Sequence, residues 1–228
     1  MSNNLFKKIM TNFNYNYDDI TSLNNPLECE DAFNKLITNM GYNYDVIKAV
    51  IILLNDKLSN DKVVKDNSVL YLSIIKFLMY MKSLGFDNNE VLKIFKIYPQ
   101  LVIINIETLD SKLDELSKRF GYTKDDLKNM IKRYPLLLAL NMEYICQRIN
   151  ELTSLGYTQT QVKEMTILSP GLFSLNMENI IEKDSFYNVL GLKGIFTKSS
   201  DSVSFIVELA YARYMFLKWN GIEINLDN

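Results

Sequence analysis

Between Leu84 and Leu190 the chain states one pattern three times, and this periodicity constrains its fold more than any other property. Gly85, Gly121 and Gly156 each follow a large apolar residue (Leu84, Phe120, Leu155) and precede an aromatic one (Phe86, Tyr122, Tyr157). Fourteen residues after each glycine stands a proline: Pro99, Pro135 or Pro170. Six residues on comes an asparagine (Asn105, Asn141, Asn176), and two beyond it a glutamate (Glu107, Glu143, Glu178). The glycines recur about every 35 residues, ending with Gly191. Four kinds of marker held in phase over three copies describe a stacked helical array.

Local chemistry gives each marker a task. Asp87, Thr123 and Thr158 are placed to cap a first helix, with Glu90, Asp126 and Gln161 completing capping boxes, the aspartate being the weakest. Val91, Ile94, Phe95 and Tyr98 then fall on one helical stripe, matched by Leu127, Met130, Ile131 and Tyr134 and in part by Val162, Met165 and Leu168. The proline ends that helix, because it disfavours helical geometry before it and cannot donate behind it. A short apolar connector follows, Leu101 to Ile104 or Leu136 to Leu140, read as a tight helical turn. The asparagine caps a second helix, the glutamate suits its first turn, and the next glycine turns the chain onward in the left-handed region.

The fold expected is therefore all-α: a helical-repeat solenoid of two-helix units with a short connector turn after each proline. It forms one domain over residues 1–228, with degenerate units in 1–84, regular repeats in 85–190 and a C-terminal capping segment in 191–228. In the N-terminal part Gly41-Tyr42-Asn43 opens like the other units, but Asn55 stands where proline is due. Asn12-Phe13-Asn14 leads to Pro26 in another worn copy, and Asn55 to Asn67 reads as a polar loop insertion. Ser200 to Asn220 reads as one closing helix with Phe205, Leu209, Ala212 and Phe216 on a face.

Composition removes several kinds of function. The chain has no histidine, and neither paired cysteines nor a Gly-rich phosphate loop takes its place. The expectation is a protein that is not an enzyme, with no cofactor, metal or small-molecule substrate, although a carboxylate site assembled from distant residues stays a third reading. Cys29 and Cys146 stand alone and read as buried thiols. No apolar run reaches bilayer length, and Met1 to Asn12 has no secretory or import character, so a cytoplasmic, non-membrane protein is expected, organellar if an import segment is missing. The net charge of −2 conceals an uneven distribution: five acids and no base from Thr11 to Asn34, but six bases against two acids from Lys118 to Arg133.

The Leu-Gly-Phe/Tyr opening, the capped amphipathic helix, Tyr-Pro or Ser-Pro, the apolar run and Asn-x-Glu before a second helix resemble the repeat of the mitochondrial transcription termination factor (mTERF) family. The likeness is specific from Leu84 to Leu190 and degenerate before it. It implies an all-helical curved solenoid that binds DNA or RNA along its inner surface, in organellar transcription or RNA handling.

Two sets of cations are candidates for such contacts. Lys76, Lys112, Arg148 and Lys183 lie eight or nine residues before successive glycines, one per second helix. In a stack they would form a line of positive charge suited to a phosphate backbone, the alternative being a solvated helix face. Lys124, Lys128 and Lys132, spaced by four with Arg133 beside them, form a second ridge opposite the apolar stripe, for which solvated surface is the favoured reading because the neighbouring copies offer only Lys93, Lys96 and Lys163. Tyr98 and Tyr134 could stack on bases, but their place on the stripe favours packing. Glu107, Glu143 and Glu178 are explained by the helix dipole. The competing functional reading is a protein-interaction scaffold, since helical arrays present extended surfaces and the pI is near 5.4.

Overall fold

A computed structural model describes residues 4–15, 20, 23, 29–57, 67–189, 215–216 and 218–221. All regular structure among them is helical. The helices are α1 (Asn4–Asn12), α2 (Cys29–Asn39), α3 (Tyr44–Lys57), α4 (Asn67–Ser83), α5 (Asn88–Ile97), α6 (Ile106–Phe120), α7 (Lys124–Arg133), α8 (Met142–Ser154), α9 (Gln159–Leu168) and α10 (Met177–Val189). Each proline opens a 3-10 turn, Pro99–Ile103, Pro135–Leu138 and Pro170–Phe173, so the expected connector is present in all three repeats. The prolines can lead these turns because the first amide of a helix has no intrahelical acceptor to lose. The chain comprises two compact units, Met1–Ala139 and Leu140–Asn228.

Capping follows the sequence closely. Asp87, Thr123 and Thr158 all form reciprocal capping boxes, and Asp126 reaches back to the Thr123 amide at 2.8 Å despite its shorter side chain. Asn105, Asn141 and Asn176 accept from the backbone amides of Glu107, Glu143 and Glu178. Gly121 ends α6 at φ 69°, and its N–H donates to Ser117 O. Nothing lies within 4 Å of where a Cβ would stand on Gly121, so only backbone conformation resists a side chain there. Gly121→Ala is expected to cost about 1 kcal/mol, read as a lower urea midpoint with an unchanged m-value.

In the first unit the core gathers on α4, which is buried around most of its circumference: Leu70, Tyr71, Ile74, Ile75, Phe77, Leu78, Met79, Tyr80 and Met81. A helix apolar on every side is one with neighbours on every side. It packs against α1, α2, α5, α6 and the Pro99–Ile103 turn. Phe33 of α2 stacks on its Tyr71 with ring centroids 4.2 Å apart. In the second unit α8, α9 and the Pro170–Phe173 turn enclose Ile145, Ile149, Leu152, Val162, Met165, Leu172 and Phe173.

Two expectations change or fall outside the described residues. The insertion expected from Asn55 begins later, because α3 runs on through Lys57. With Asn55 in place of proline, nothing breaks the helix at the usual position. The rest of that stretch up to residue 66 lies outside the described residues, as do Pro26 and most of the expected closing helix between 200 and 220.

Candidate nucleic-acid interface

The two candidate cation sets have different surroundings. In the first, Lys76 and Lys112 belong to the first compact unit, Arg148 and Lys183 to the second. Lys112 and Arg148 are buried, at 8% and 5% exposure, which corrects the expectation that all four face solvent. The reason is their register. Lys112 stands between Leu109, Leu113 and Leu116, and Arg148 between Ile145, Ile149 and Leu152, so both cations occupy the stripe that the helix buries.

Each is compensated by acceptors in the chain that follows the next proline. Lys112 Nζ donates to Leu138 O at 2.5 Å, at the end of the Pro135–Leu138 turn. Burial holds its ammonium pKa below the ordinary lysine value. Arg148 donates to Leu175 O at 2.7 Å, just past the Pro170–Phe173 turn, to Tyr144 Oη at 3.1 Å and to Met177 Sδ at 2.9 Å. Its guanidinium also lies 3.0 Å from Glu151 Oε2. The last carbonyls of a helical turn have no internal donor, so these side chains act as clasps from one repeat to the connector of the next. Lys76 is half-buried with its ammonium over the Phe6 ring, 5.4 Å from the centroid, and Lys183 is half-buried on α10.

The second set stays nearer the surface. On α7, Lys124, Lys132 and Arg133 are exposed, and on the neighbouring α5 so are Lys93 and Lys96. Two members of the ridge reach back to the preceding repeat. Lys128 is half-buried; it donates to Gly85 O and lies 5.5 Å from the Phe86 centroid. Gly85 follows the end of α4, where a cation is favoured by the carbonyl dipoles. Lys132 forms an ion pair with Glu90, the residue that also closes the α5 capping box through the Asp87 amide. The Glu90 carboxyl pKa is lowered chiefly by the hydrogen bond from Lys132, with partial burial opposing. Lys118 and Arg119 on α6 are exposed and paired at i,i+4 with Asp114 and Glu115.

Tyr98 and Tyr134 are half-buried, neither fully in the core nor fully presented. Sequence reasoning missed two phenol–carboxylate contacts onto second helices. Tyr80 Oη on α4 lies 3.4 Å from Asp110 on α6, and Tyr157 Oη donates to Asp184 on α10. The available signal was an acid two residues before the Lys112 position and one after Lys183. Among the described residues no group of three or more His, Cys, Asp or Glu is placed to hold a metal ion, and no helix is long and apolar enough to cross a membrane. Cys29 is a buried free thiol and Cys146 a half-buried one.

A family model described as mTERF matches residues 16–190, most of the chain and all three regular repeats. The chain belongs to the mTERF family. A search of curated proteins returned no match. The mTERF family is one of helical nucleic-acid-binding repeat proteins, and the repeat it is built from is the one described here: capped first helix, proline-led 3-10 turn, asparagine-capped second helix.

Proposed function

We propose that this mTERF protein binds the phosphate backbone of DNA or RNA in transcription termination, its regulation, or RNA handling. The contacts come from the outward cations of α5 and α7: Lys93, Lys96, Lys124, Lys132 and Arg133. The observation that carries this reading is the division of the cations by burial. Lys112 and Arg148 are engaged inside the fold, whereas these five stand exposed on two helices linked by the Lys132–Glu90 pair. The acids on those helices, Glu90 on α5 and Asp125 and Asp126 on α7, sit in the first turns, which leaves the later turns basic. A phosphate chain needs that kind of local surplus more than a basic protein overall, because binding is driven by release of counterions from each neutralised phosphate.

The test is the salt dependence of binding to a mixed-sequence DNA duplex and to an RNA strand of the same sequence. With about four phosphates engaged, log K should fall against log salt with a slope of roughly −3 to −4 on the duplex. Reversing Lys93, Lys96, Lys124 and Arg133 to glutamate should weaken binding by at least about tenfold at low salt and flatten the slope. Binding that survives the reversal would remove this face from the mechanism.

One observation favours the second reading, a protein-interaction scaffold. Ile52 and Leu53 of α3 are large apolar side chains exposed at 56% and 44%. Failure of both probes to bind at low salt would transfer the functional reading to that apolar face.

A further inference from the structure

Resting on the nucleic-acid reading above, we infer that Glu90 is a built-in competitor for the phosphate that Lys132 would otherwise hold, so that the protein sets its own affinity by an internal carboxylate. Lys132 is the last of the three α7 lysines spaced by four, and the residue at its ridge that faces an acid from another helix. Its side chain is 36% exposed and that of Glu90 is 23%, so the pair lies at the surface, where an incoming phosphate oxygen competes with the carboxylate for the ammonium. A carboxylate and a phosphate offer the lysine the same interaction, a charge-assisted oxygen acceptor, and Lys132 engages one at the expense of the other.

The capping geometry separates the two tasks of Glu90. One carboxylate oxygen, Oε2, accepts from the Asp87 amide and closes the capping box; the other, Oε1, faces Lys132. Capping needs an acceptor but no charge, as the third repeat demonstrates: there Gln161 closes the same box with Thr158. Glu90→Gln therefore keeps α5 capped and withdraws the ionic competitor. The second repeat has Asp126 at this position and the third has Ile167 where Lys132 would fall. The competition thus belongs to the α5–α7 pair.

The experiment is a double-mutant cycle on the full chain, comparing wild type, Glu90→Gln, Lys132→Met and the double variant on the same duplex and RNA probes. Exposed ion pairs have the strength to hold affinity down by about two- to five-fold, so Glu90→Gln should tighten binding by that factor and steepen the salt slope by about one phosphate contact. The gain should vanish when Lys132 is methionine. Tighter binding that persists in the Glu90→Gln/Lys132→Met double variant would show that the removed charge acts on the probe directly, and would overturn the inference. Equal affinities for wild type and Glu90→Gln, with wild type binding in a salt-dependent manner, would overturn it while leaving the nucleic-acid reading intact. Wild type that binds neither probe would overturn both. Circular-dichroism melting of Glu90→Gln, expected to match wild type within a few degrees, reports that the cap is retained.

Discussion

Arg148→Ala should lower the unfolding free energy by about 3 kcal/mol in a urea titration and leave the salt slope of polyanion binding unchanged. The two halves of that expectation separate a clasp from a phosphate contact. Arg148 is buried at 5%, and its guanidinium supplies donors to Leu175 O and Tyr144 Oη and a counter-charge to Glu151. Hydrogen bonds from a charged donor are worth about 1.5–3 kcal/mol, and breaking a buried network from one side costs more than its net worth, because the remaining partners lose their compensation. Glu151 can turn to water, being 31% exposed, which keeps the figure at the lower end. Lys112→Met should cost less, about 1 kcal/mol. It forfeits the bond to Leu138 O but also relieves the desolvation that holds the ammonium pKa down, and the methionine fills the same space. If Arg148→Ala instead kept its stability and flattened the salt slope, the arginine would be reaching out to phosphate and its burial would be irrelevant to function.

Those two cations show how the sequence could mislead about a site while being accurate about a fold. The repeat markers are backbone chemistry. Proline, glycine and an asparagine cap act on the residues next to them, so their consequences are local and readable: the 3-10 turns begin at the prolines, and the left-handed ends fall at Gly41, Gly85, Gly121 and Gly156. A cation's role depends on what faces it across the next repeat, some 26 residues away for Lys112 and Leu138. Even so, a signal was present. Lys112 follows Leu109 by three and precedes Leu116 by four, so its place on the buried stripe was legible from helical spacing alone. The recurrence of a cation at one phase of the repeat was the stronger pattern, and at two of its four positions it marked a structural clasp. The Lys132–Glu90 pair was not legible, because both residues have ordinary solvated-face spacing on their own helices and meet only through the fold.

Above about pH 10 the chain should lose stability steeply, because buried phenols would have to ionise there in the unfolded chain but not in the folded one. The pKa values of Tyr42 and Tyr80 are raised well above the ordinary tyrosine value, by burial first; Tyr15 and Asp87 add to it at Tyr42, and Asp110 at Tyr80. Both rings are almost wholly enclosed, at 3% and 1% exposure, and the Tyr42 hydroxyl has no hydrogen-bond partner among the described residues. A raised native pKa means the folded chain keeps protons that the unfolded one releases, so the stabilisation is complete below about pH 10 and declines as pH rises beyond it. Each such phenol takes away up to about 1.4 kcal/mol per pH unit once the unfolded chain is fully ionised, and the two together roughly 2 kcal/mol between pH 10 and 11. Lys112 works in the opposite sense. Its native pKa is lowered, so the cost of burying its charge is relieved as pH climbs from that value toward about 10.4, and the end of this gain overlaps the onset of the tyrosine loss. Stability should thus be flat or slightly rising up to about pH 10 and then fall. Tyr80→Phe removes one of the two phenols and only a long 3.4 Å hydrogen bond, so it should barely change the urea midpoint at neutral pH while halving the alkaline slope assigned to the pair. A Tyr80→Phe chain whose midpoint falls with pH as fast as wild type would show that Tyr80 ionises within the fold and that the α4–α6 contact opens before the domain does.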